Sequence, residues 1–302
     1  MTNIDFKEER KHVKNNYEII KLIGYDINGE LFLVKPRDND NEENELYIME
    51  KIEVEHDKEK YIKNKLETLS KIESKYIIKI NDYFFGNENG KNLAFIIMEY
   101  FEKRNLYEII YDTNYLNERT IWNIFIQITL GLKVLNENGI FYQYISPKNI
   151  FLNKNNKIKL GGFDIILEND EDNYIINNEY LSSYIAPEIL YSFPYSKEKC
   201  NSWSLGCVLF ELIFKKRAFD YEERQKYILK NRFEIPDDCE RDFKTVIQKL
   251  LCKDFNRLTI SDLVFEVTFK RKVIELNLFD EIIKGSIQCK YIFIFIIIKY
   301  IL

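Results

Sequence analysis

The chain has few of the residues that define several common protein classes. Among 302 residues there are only two histidines, and the five cysteines contain no C-x-x-C pair. We therefore expect buried free thiols in a reducing compartment and no zinc site. Acidic residues outnumber basic ones and the net charge is -5, which predicts no nucleic-acid partner. The N-terminal stretch is polar and has no apolar core, so we expect no secretory signal and a cytoplasmic location.

Apolar residues are abundant by contrast, at 46% of the chain against 31% charged residues, which predicts a folded protein with a large core. The most apolar stretch is the tail at 291–302, YIFIFIIIKYIL. It is shorter than the roughly 20 residues that a membrane-spanning helix needs. Three interpretations of this tail remain open: an extension produced by read-through or a gene-model error, a segment packed on the fold, and peripheral membrane contact.

Hydrophobic periodicity divides the chain into a strand-rich part and a helical part. In the first part, apolar residues alternate along four segments and recur at helical spacing along one. We predict a hairpin over 17–34 that turns at Asp26, Asn28 and Gly29, further strands at 46–54, 77–85 and 92–100, and a helix at 58–72. From residue 106 onward helical spacing prevails, and the predicted helices lie at 120–136, at 202–214 and through the 240s and 260s.

Six segments then follow one another in an informative order. They read IIMEYFE (96–102), GIFYQYISPKNIFL (139–152), IKLGGFDI (158–165), YLSSYIAPEIL (180–190), KCNSWSLGCVLFEL (199–212) and KDFNRLT (253–259). They resemble the hinge strand, catalytic loop, magnesium loop, A-P-E box, D-x-W-S-x-G helix and D-P-x-x-R-P-T segment of eukaryotic protein kinase domains. Residues 17–265 are similar to this family, and most similar to NIMA-related Ser/Thr kinases.

The resemblance implies an α+β, bilobal fold. Its smaller lobe, rich in β-strands with one main helix, would span residues 1–101, and its larger, mainly helical lobe would span residues 102–268. Residues 269–302 would form a C-terminal extension that includes the apolar tail.

The catalytic residues of the family are replaced in this chain. In the family pattern H-R-D-L-K-P-x-N, the Asp accepts the substrate proton and the Asn binds magnesium. Tyr142, Gln143, Tyr144 and Ser146 stand at the His, Arg, Asp and Lys positions, and Gly162 replaces the metal-binding Asp of D-F-G. Asn149 is the one magnesium ligand retained, and a single neutral oxygen is a poor site for this cation.

The residues expected to hold phosphate are altered as well. Gly24 and Gly29 of the glycine-rich loop remain, but Asp26 takes the place of the middle glycine; an ordinary hairpin turn is the alternative interpretation. Glu50 stands where the phosphate-pairing lysine is expected. Two unit charges 4 Å apart interact by about 4 kcal/mol at an effective dielectric near 20, so this sign reversal disfavours ATP. We expect no Mg-ATP binding.

The helix position that should carry a glutamate holds Lys65, which would make a swapped ion pair with Glu50 at about 4 Å. The alternatives are that both are solvated surface charges, or that Glu67 makes the contact. Lys51 follows Glu50 and should face the other side of the strand, because side chains alternate. A register slip that makes Lys51 the functional lysine remains an alternative.

Positions that support the fold are retained. The resemblance implies an apolar internal column and a buried ion pair between Glu188 and Arg257, with Asn201 replacing the helix Asp. The column would contain Leu69, Ile80, Tyr142 and Phe163. The vestigial nucleotide pocket would be lined by Ile23, Leu31, Ile48, Met98, which is at the gatekeeper position, and Phe151.

The sequence as a whole predicts a pseudokinase that works through protein partners, such as an active kinase or a kinase substrate, in phosphorylation signalling. Two alternatives remain. One is a divergent NIMA-related Ser/Thr kinase that recruits Asn149, Asp164 and Lys51 in a new geometry. The other is a decaying gene product without function.

Overall fold

The structure is a computed structural model. It describes residues 16–25, 29–37, 45–101, 104–112, 116–142, 144–153, 155–163, 179–191, 194–219 and 233–278. The chain divides into two compact units. The small unit comprises residues 1–73, 77–102 and 162–170, and the large unit comprises residues 74–76, 103–161 and 171–302.

The small unit is an antiparallel sheet with one helix. Its elements are β1 (Tyr17–Tyr25), β2 (Gly29–Pro36), β3 (Tyr47–Glu53), α1 (Glu59–Ser70), β4 (Ile80–Glu88) and β5 (Lys91–Glu99). The strand order is β1-β2-β3-β5-β4. Helix α1 buries Ile62, Leu66 and Leu69, which lie on one face because they are four and three residues apart. The predicted hairpin, third strand and helix are therefore confirmed, and the turn residues 26–28 lie outside the described residues.

One face of this sheet has its own small core. Val34, Met49, Phe84, Leu93, Phe95 and Ile97 form a buried cluster, against which Tyr17, Phe32 and Tyr47 pack. The rings of Phe84 and Phe95 stack with their centres 5.1 Å apart. Residues that alternate with this set along the strands point to the opposite face.

The last two strands of the sheet differ in their bounds from the prediction. β4 begins at Ile80 and not at residue 77, and the carbonyl of Tyr76 accepts a 2.8 Å hydrogen bond from the amide of Leu160, outside the sheet. β4 also extends to Glu88, because Asn89 and Gly90 form the turn with φ values of 52° and 83°. Asn-Gly is the preferred sequence for such a two-residue hairpin turn.

The large unit is mainly helical. Its helices are α2 (Leu106–Asp112), α3 (Glu118–Glu137), α4 (Glu179–Ser182), α5 (Lys197–Phe214), α6 (Arg241–Leu250), α7 (Ile260–Leu263) and α8 (Val267–Glu275). Short 3-10 helices lie at Pro147–Asn149, Pro187–Tyr191 and Asp254–Asn256. A three-stranded antiparallel sheet joins β6 (Arg104–Asn105), β7 (Ile150–Leu152) and β8 (Ile158–Leu160) in that order. Together the two units give the predicted α+β class.

Helices α3 and α5 form the centre of the large unit, and both begin at capping residues. The side chain of Asn117 accepts a hydrogen bond from the amide of Thr120, and that of Ser196 accepts one from the amide of Lys199. Such caps satisfy the first free amides of a helix. α5 starts five residues earlier than predicted because its first turn is polar and the apolar spacing begins later. Within the described ranges, no helix is both long and apolar enough to span a bilayer.

Candidate functional site

Four residues of the predicted nucleotide pocket share one face of the five-stranded sheet. Leu31 lies opposite Glu50 on neighbouring strands, and Ile48 lies opposite Met98. Directly opposed side chains of an antiparallel pair point to the same face, and Ile48 and Glu50 are two residues apart on β3. The Glu50 residue is only 2% exposed. The alternative that Glu50 is a solvated surface charge is therefore wrong.

Lys51 faces the other side of the sheet, as predicted. Its Nζ lies 3.0 Å from Oε2 of Glu88 and 3.5 Å from Oε2 of Glu30. Burial would lower the pKa of Lys51, but these two carboxylates raise it above its ordinary value. Lys51 is thus a charged group held by two acidic partners, away from the face that carries Ile48 and Met98.

The retained Gly29 has a packing reason. A Cβ atom at this position would lie 2.0 Å from the carbonyl oxygen of Lys51, so no other residue fits without moving the backbone of β3. Ile23 lies at an irregular step of the β1–β2 pairing, next to Gly24, and is 42% exposed. Asp26 lies outside the described residues.

Lys65 lies on α1 and is half-buried, with its Nζ 5.8 Å from the centre of the Tyr61 ring. Glu67, the alternative partner considered for Glu50, instead pairs with Lys71 at 2.7 Å on the exposed side of the helix. The swapped pair between Glu50 and Lys65 stays a prediction.

The catalytic-loop segment is buried. Tyr142, Tyr144 and Ser146 are 5%, 3% and 0% exposed. The hydroxyl of Tyr142 donates a hydrogen bond to the carbonyl of Gly161, and the amide of Tyr144 donates one of 2.8 Å to the carbonyl of Tyr142. Tyr142, Tyr144 and Ser146 therefore place neutral hydroxyls at the His, Asp and Lys positions of the motif. Gln143 lies outside the described residues.

Asn149 ends the 3-10 helix that follows this segment. Its amide donates to the carbonyl of Ser146, and its carbonyl accepts from the amide of Gly161, both at 3.0 Å. Gly162 then adopts a left-handed φ of 66°, a conformation that strains residues with a Cβ atom. Asp164 lies outside the described residues. The sequence change from Asp to Gly at position 162 thus coincides with a backbone that suits glycine.

The members of the predicted apolar column, Leu69, Ile80, Tyr142 and Phe163, are all buried. Phe151, predicted to line the nucleotide pocket, is half-buried. The stacking of the four residues into one column stays a prediction.

The ion pair expected between Glu188 and Arg257 is present and bidentate. Nη1 of Arg257 donates to Oε1 of Glu188, and Nη2 donates to Oε2 at 3.1 Å. The guanidinium also donates to the carbonyls of Cys252 and Lys199, and it stacks 4.8 Å from the centre of the Trp203 ring. The Arg257 guanidinium is thus hydrogen-bonded through all three of its nitrogens and stacked on an aromatic ring.

Asn201 is also used, since its Nδ2 donates to Oδ1 of Asn136 at 2.8 Å and so links α5 to the end of α3. Of the five cysteines, Cys200, Cys207 and Cys239 are buried free thiols and Cys252 is a half-buried one. Cys289 lies outside the described residues.

Comparison with known proteins identifies the family. The family model of the protein kinase domain matches residues 17–268, which include the small unit's sheet and the helices from α1 to α7. The chain belongs to the protein kinase domain family.

NIMA-related kinases are among the relatives of this kinase-family chain, as the motifs predicted. Serine/threonine-protein kinase Nek5 of Mus musculus is 30% identical over 283 residues, covering 91% of this chain and 43% of the mouse protein. The nekl-2 kinase of Caenorhabditis elegans is 26% identical, covering 78% of this chain and 69% of the relative. Nek5 of Homo sapiens is 32% identical, covering 72% and 30%. The matched region is thus less than half of either Nek5 protein.

The kinase-family chain also contains a polar cluster that the sequence did not indicate. The carboxylate of Glu211 on α5 accepts hydrogen bonds from the hydroxyls of Tyr111, at 2.8 Å, and Tyr184, at 2.5 Å. Burial raises the pKa of Glu211 above its ordinary value, although these two bonds oppose the shift. The i, i+4 spacing of Tyr107 and Tyr111, and of Tyr180 and Tyr184, was the available signal. Only Tyr107 and Tyr111 lie on one helix, since α4 ends at Ser182, and the spacing does not show that Tyr111 and Tyr184 meet around a carboxylate.

Proposed function

We propose that this member of the protein kinase family is a pseudokinase that works as a protein-interaction scaffold or allosteric regulator in phosphorylation signalling. The observation that carries the proposal is the burial of Glu50. In the family motif this position belongs to the lysine that pairs with the nucleotide phosphates. A buried carboxylate on the sheet face that carries Ile48 and Met98 repels a triphosphate, and Lys51 is held on the opposite face by Glu30 and Glu88.

The catalytic-loop segment supports the same proposal. A protein kinase uses a carboxylate to accept the substrate proton, and a positioned base contributes on the order of 10² to 10⁴ in rate. A phenol is a much weaker proton acceptor than a carboxylate at neutral pH, so Tyr144 is a poor replacement for the motif Asp. Ser146 likewise carries no charge to stabilise the transferring phosphoryl group.

The metal site is reduced in the same way. Gly162 has no side chain, so Asn149 alone would contribute an oxygen to magnesium. Magnesium in phosphoryl-transfer sites is held by carboxylates together with the substrate phosphates. We therefore propose that the chain functions without Mg-ATP.

The chain retains the contacts that stabilise the large unit, and with them the surface that this unit presents to partners. The buried Glu188–Arg257 pair and the hydrogen bond between Asn201 and Asn136 keep the large unit in order. We propose that protein partners, such as an active kinase or a kinase substrate, bind this surface in the cytoplasm, with no nucleic-acid partner. Membrane contact through residues 291–302 is a minor alternative.

A thermal-shift experiment tests the proposal directly. ATP is added to the full chain with and without magnesium, and no change in melting temperature is expected. A ligand at 100 times its Kd would stabilise the folded state by about 2.7 kcal/mol, which corresponds to several degrees for a chain of this size. A magnesium-dependent shift that disappears in Asn149→Ala would refute the pseudokinase proposal.

The second candidate is a divergent Ser/Thr kinase, favoured by the retained Asn149 and by relatives that are named serine/threonine-protein kinases. Transfer of radiolabelled phosphate from ATP to a generic protein substrate would support it. The same preparation of Asn149→Ala serves as the control, because transfer by a contaminating kinase would persist in that variant.

A further inference from the structure

Two basic side chains of the large unit lie against the ring of one tyrosine, Tyr180. The Nζ of Lys148 lies 4.2 Å from the centre of the Tyr180 ring, and the Cζ of Arg217 lies 5.1 Å from the same centre. Both distances are within the range of cation–π attraction. Lys148 also lies 5.4 Å from the centre of the Tyr107 ring. Because both cations lie against one ring, they are less than about 10 Å apart.

Among the described residues, neither Lys148 nor Arg217 has an ion pair, whereas Arg104 pairs with Asp112 and Lys133 pairs with Glu137. Lys148 is exposed and Arg217 is half-exposed. Two cations beside one aromatic ring, neither in an ion pair with a described residue, are suited to bind an anion. The charge of Arg217 also acts on Glu211, whose pKa it lowers against the effect of burial.

The Glu211 carboxylate belongs to the same tyrosine cluster and is already hydrogen-bonded within the fold. Glu211 is fully buried and accepts the hydroxyl bonds of Tyr111 and Tyr184, so its oxygens are bonded within the fold. The Tyr184 and Tyr180 hydroxyls are 3.5 Å apart, which links the buried carboxylate to the ring that carries the cations.

The geometry points to a binding site for one acidic or phosphorylated side chain of a partner protein, between Lys148 and Arg217 at the edge of the Tyr180 ring. This inference rests on the proposed function in one respect: a pseudokinase would bind the partner segment without phosphorylating it. A guanidinium and an ammonium can each donate to a phosphate or carboxylate. Their stacked positions reduce the entropy lost when the anion binds.

The number of charges favours a protein over a polyanion. The site has two cations in a chain of net charge -5, so it matches a single anionic group and not the repeated phosphates of a nucleic acid. Lys148 lies in the 3-10 helix that contains Asn149, so the bound side chain would lie beside the degenerate catalytic loop.

Fluorescent nonapeptide libraries test the site on the full chain. Their central residue is fixed as phosphoserine, glutamate, serine or lysine, and the other positions are degenerate. We expect the phosphoserine and glutamate libraries to bind at least fivefold more tightly than the serine library, and the lysine library to bind most weakly. Lys148→Ala and Arg217→Ala should each weaken phosphoserine binding about tenfold, the range for loss of a charge-assisted hydrogen bond.

Lys216→Ala is the matched control. It removes one exposed positive charge next to Arg217, at a residue whose Nζ lies 6.0 Å from the centre of the Phe210 ring, and should change binding less than twofold. Melting temperatures of all three variants verify that they fold. The double variant Lys148→Glu/Arg217→Glu should reverse the preference toward the lysine library. Equal binding of the four libraries, or an equal effect of Lys216→Ala, would overturn the inference.

Two further measurements distinguish a held protein segment from a lipid surface and from a kinase substrate. Binding to phosphatidylserine vesicles without any preference among the peptide libraries would overturn the assignment of a protein partner. Phosphate transfer from ATP to the bound peptides would refute the pseudokinase proposal while leaving the anion site intact. Equal binding of the four libraries without phosphate transfer would refute the anion site and leave the pseudokinase proposal intact.

Discussion

Two buried regions of the large unit differ in charge: one contains a paired ion, and the other contains neutral side chains. Around Arg257, a full positive charge is surrounded by the Glu188 carboxylate, two carbonyls and the Trp203 ring. In the catalytic-loop segment, where the family motif carries an acid and a lysine, Tyr144 and Ser146 are neutral. Burying an unpaired charge is costly, and burying a neutral hydroxyl costs much less.

The difference indicates which charges the fold itself requires. The Glu188–Arg257 pair is satisfied by the protein alone. The acid and lysine of a kinase loop are satisfied by substrate, metal and nucleotide, so they are a burden in a chain that binds none of these. Under the proposed function, neutral residues at 144 and 146 are therefore the stable choice.

The largest expected effect is on the satisfied pair. Arg257→Ala should lower the free energy of unfolding by about 3–5 kcal/mol, because Glu188 is left as an uncompensated charge in a buried site. Urea denaturation of the full chain measures the loss. Arg271→Ala is the control: Arg271 pairs with Asp242 and Glu275 but its side chain is 48% exposed, so its loss should be about 1 kcal/mol or less.

Equal losses in the two arginine variants would contradict the distinction between the regions. If Arg257→Ala does not fold, Arg257→Lys keeps the charge but cannot form two parallel hydrogen bonds, and it should lie between wild type and Ala.

The next effect concerns Glu50. This residue stands where the family motif carries the phosphate-pairing lysine, and unlike Tyr144 and Ser146 it is an acidic residue in a buried position. Glu50→Lys should destabilise the chain by about 3 kcal/mol if Lys65 is its partner, because two positive charges then meet. Adding Lys65→Glu should recover part of the loss, with a coupling of about 1–3 kcal/mol in a double-mutant cycle of urea denaturation.

Lys63→Glu makes the same charge change on the exposed side of α1 and is the matched control for that cycle. Recovery by Lys63→Glu equal to that by Lys65→Glu would sink the swapped-pair hypothesis, as would a further loss in the Glu50→Lys/Lys65→Glu chain.

A smaller effect is expected at Tyr142. Tyr142→Phe keeps the ring but removes the hydroxyl that donates to the Gly161 carbonyl, so about 1–2 kcal/mol should be lost. Thermal and urea unfolding measure the change. Tyr25→Phe, at a residue that is 69% exposed, should stay within about 0.5 kcal/mol. If Tyr142→Phe also changed the free energy of unfolding by no more than about 0.5 kcal/mol, the Tyr142 hydroxyl would not stabilise the loop.

The smallest effect is a pH dependence at Asp242, which contacts Arg271 and Lys272. Burial alone would raise the pKa of Asp242, but hydrogen bonds from Arg271 and Lys272 lower it below its ordinary value of 3.8. A carboxyl with a lowered pKa stabilises the folded state above its unfolded pKa, and this contribution is lost as pH falls through its folded pKa.

Asp242→Asn should therefore show a smaller fall in urea midpoint between pH 5 and pH 2 than wild type. Lys270→Ala removes a positive charge from α8, the helix that carries Arg271 and Lys272, at a residue that contacts the Phe265 ring, and it should retain the wild-type slope. Parallel curves for wild type and Asp242→Asn would show that the contacts of Asp242 are not felt in stability.

Much of the fold was predictable from hydrophobic spacing, as in α1, which buries Ile62, Leu66 and Leu69 on one face. The misplaced bounds have local causes. Asn89 and Gly90 form a turn with a recognised sequence preference, and Ser196 caps a polar helical turn that apolar spacing does not mark.

The candidate site was less predictable because its contacts join distant segments. The motif register correctly put Glu50 and Lys51 on opposite faces, and it identified Glu188 and Arg257 as partners 69 residues apart. No periodicity indicates that Lys148, Tyr180 and Arg217 meet, since each lies in a different part of the chain. Such a cluster follows from packing, which single-sequence patterns do not encode.

Gly29 has a consequence for tracing lost activities in genomes. Its absent side chain leaves room for the Lys51 carbonyl, so the strand pairing demands glycine whether or not nucleotide is present. A glycine of this loop can therefore outlast the activity for which the motif is named. A retained glycine at this place is therefore no sign of ATP binding by itself, whereas the sign of the charge at position 50 acts directly on a phosphate.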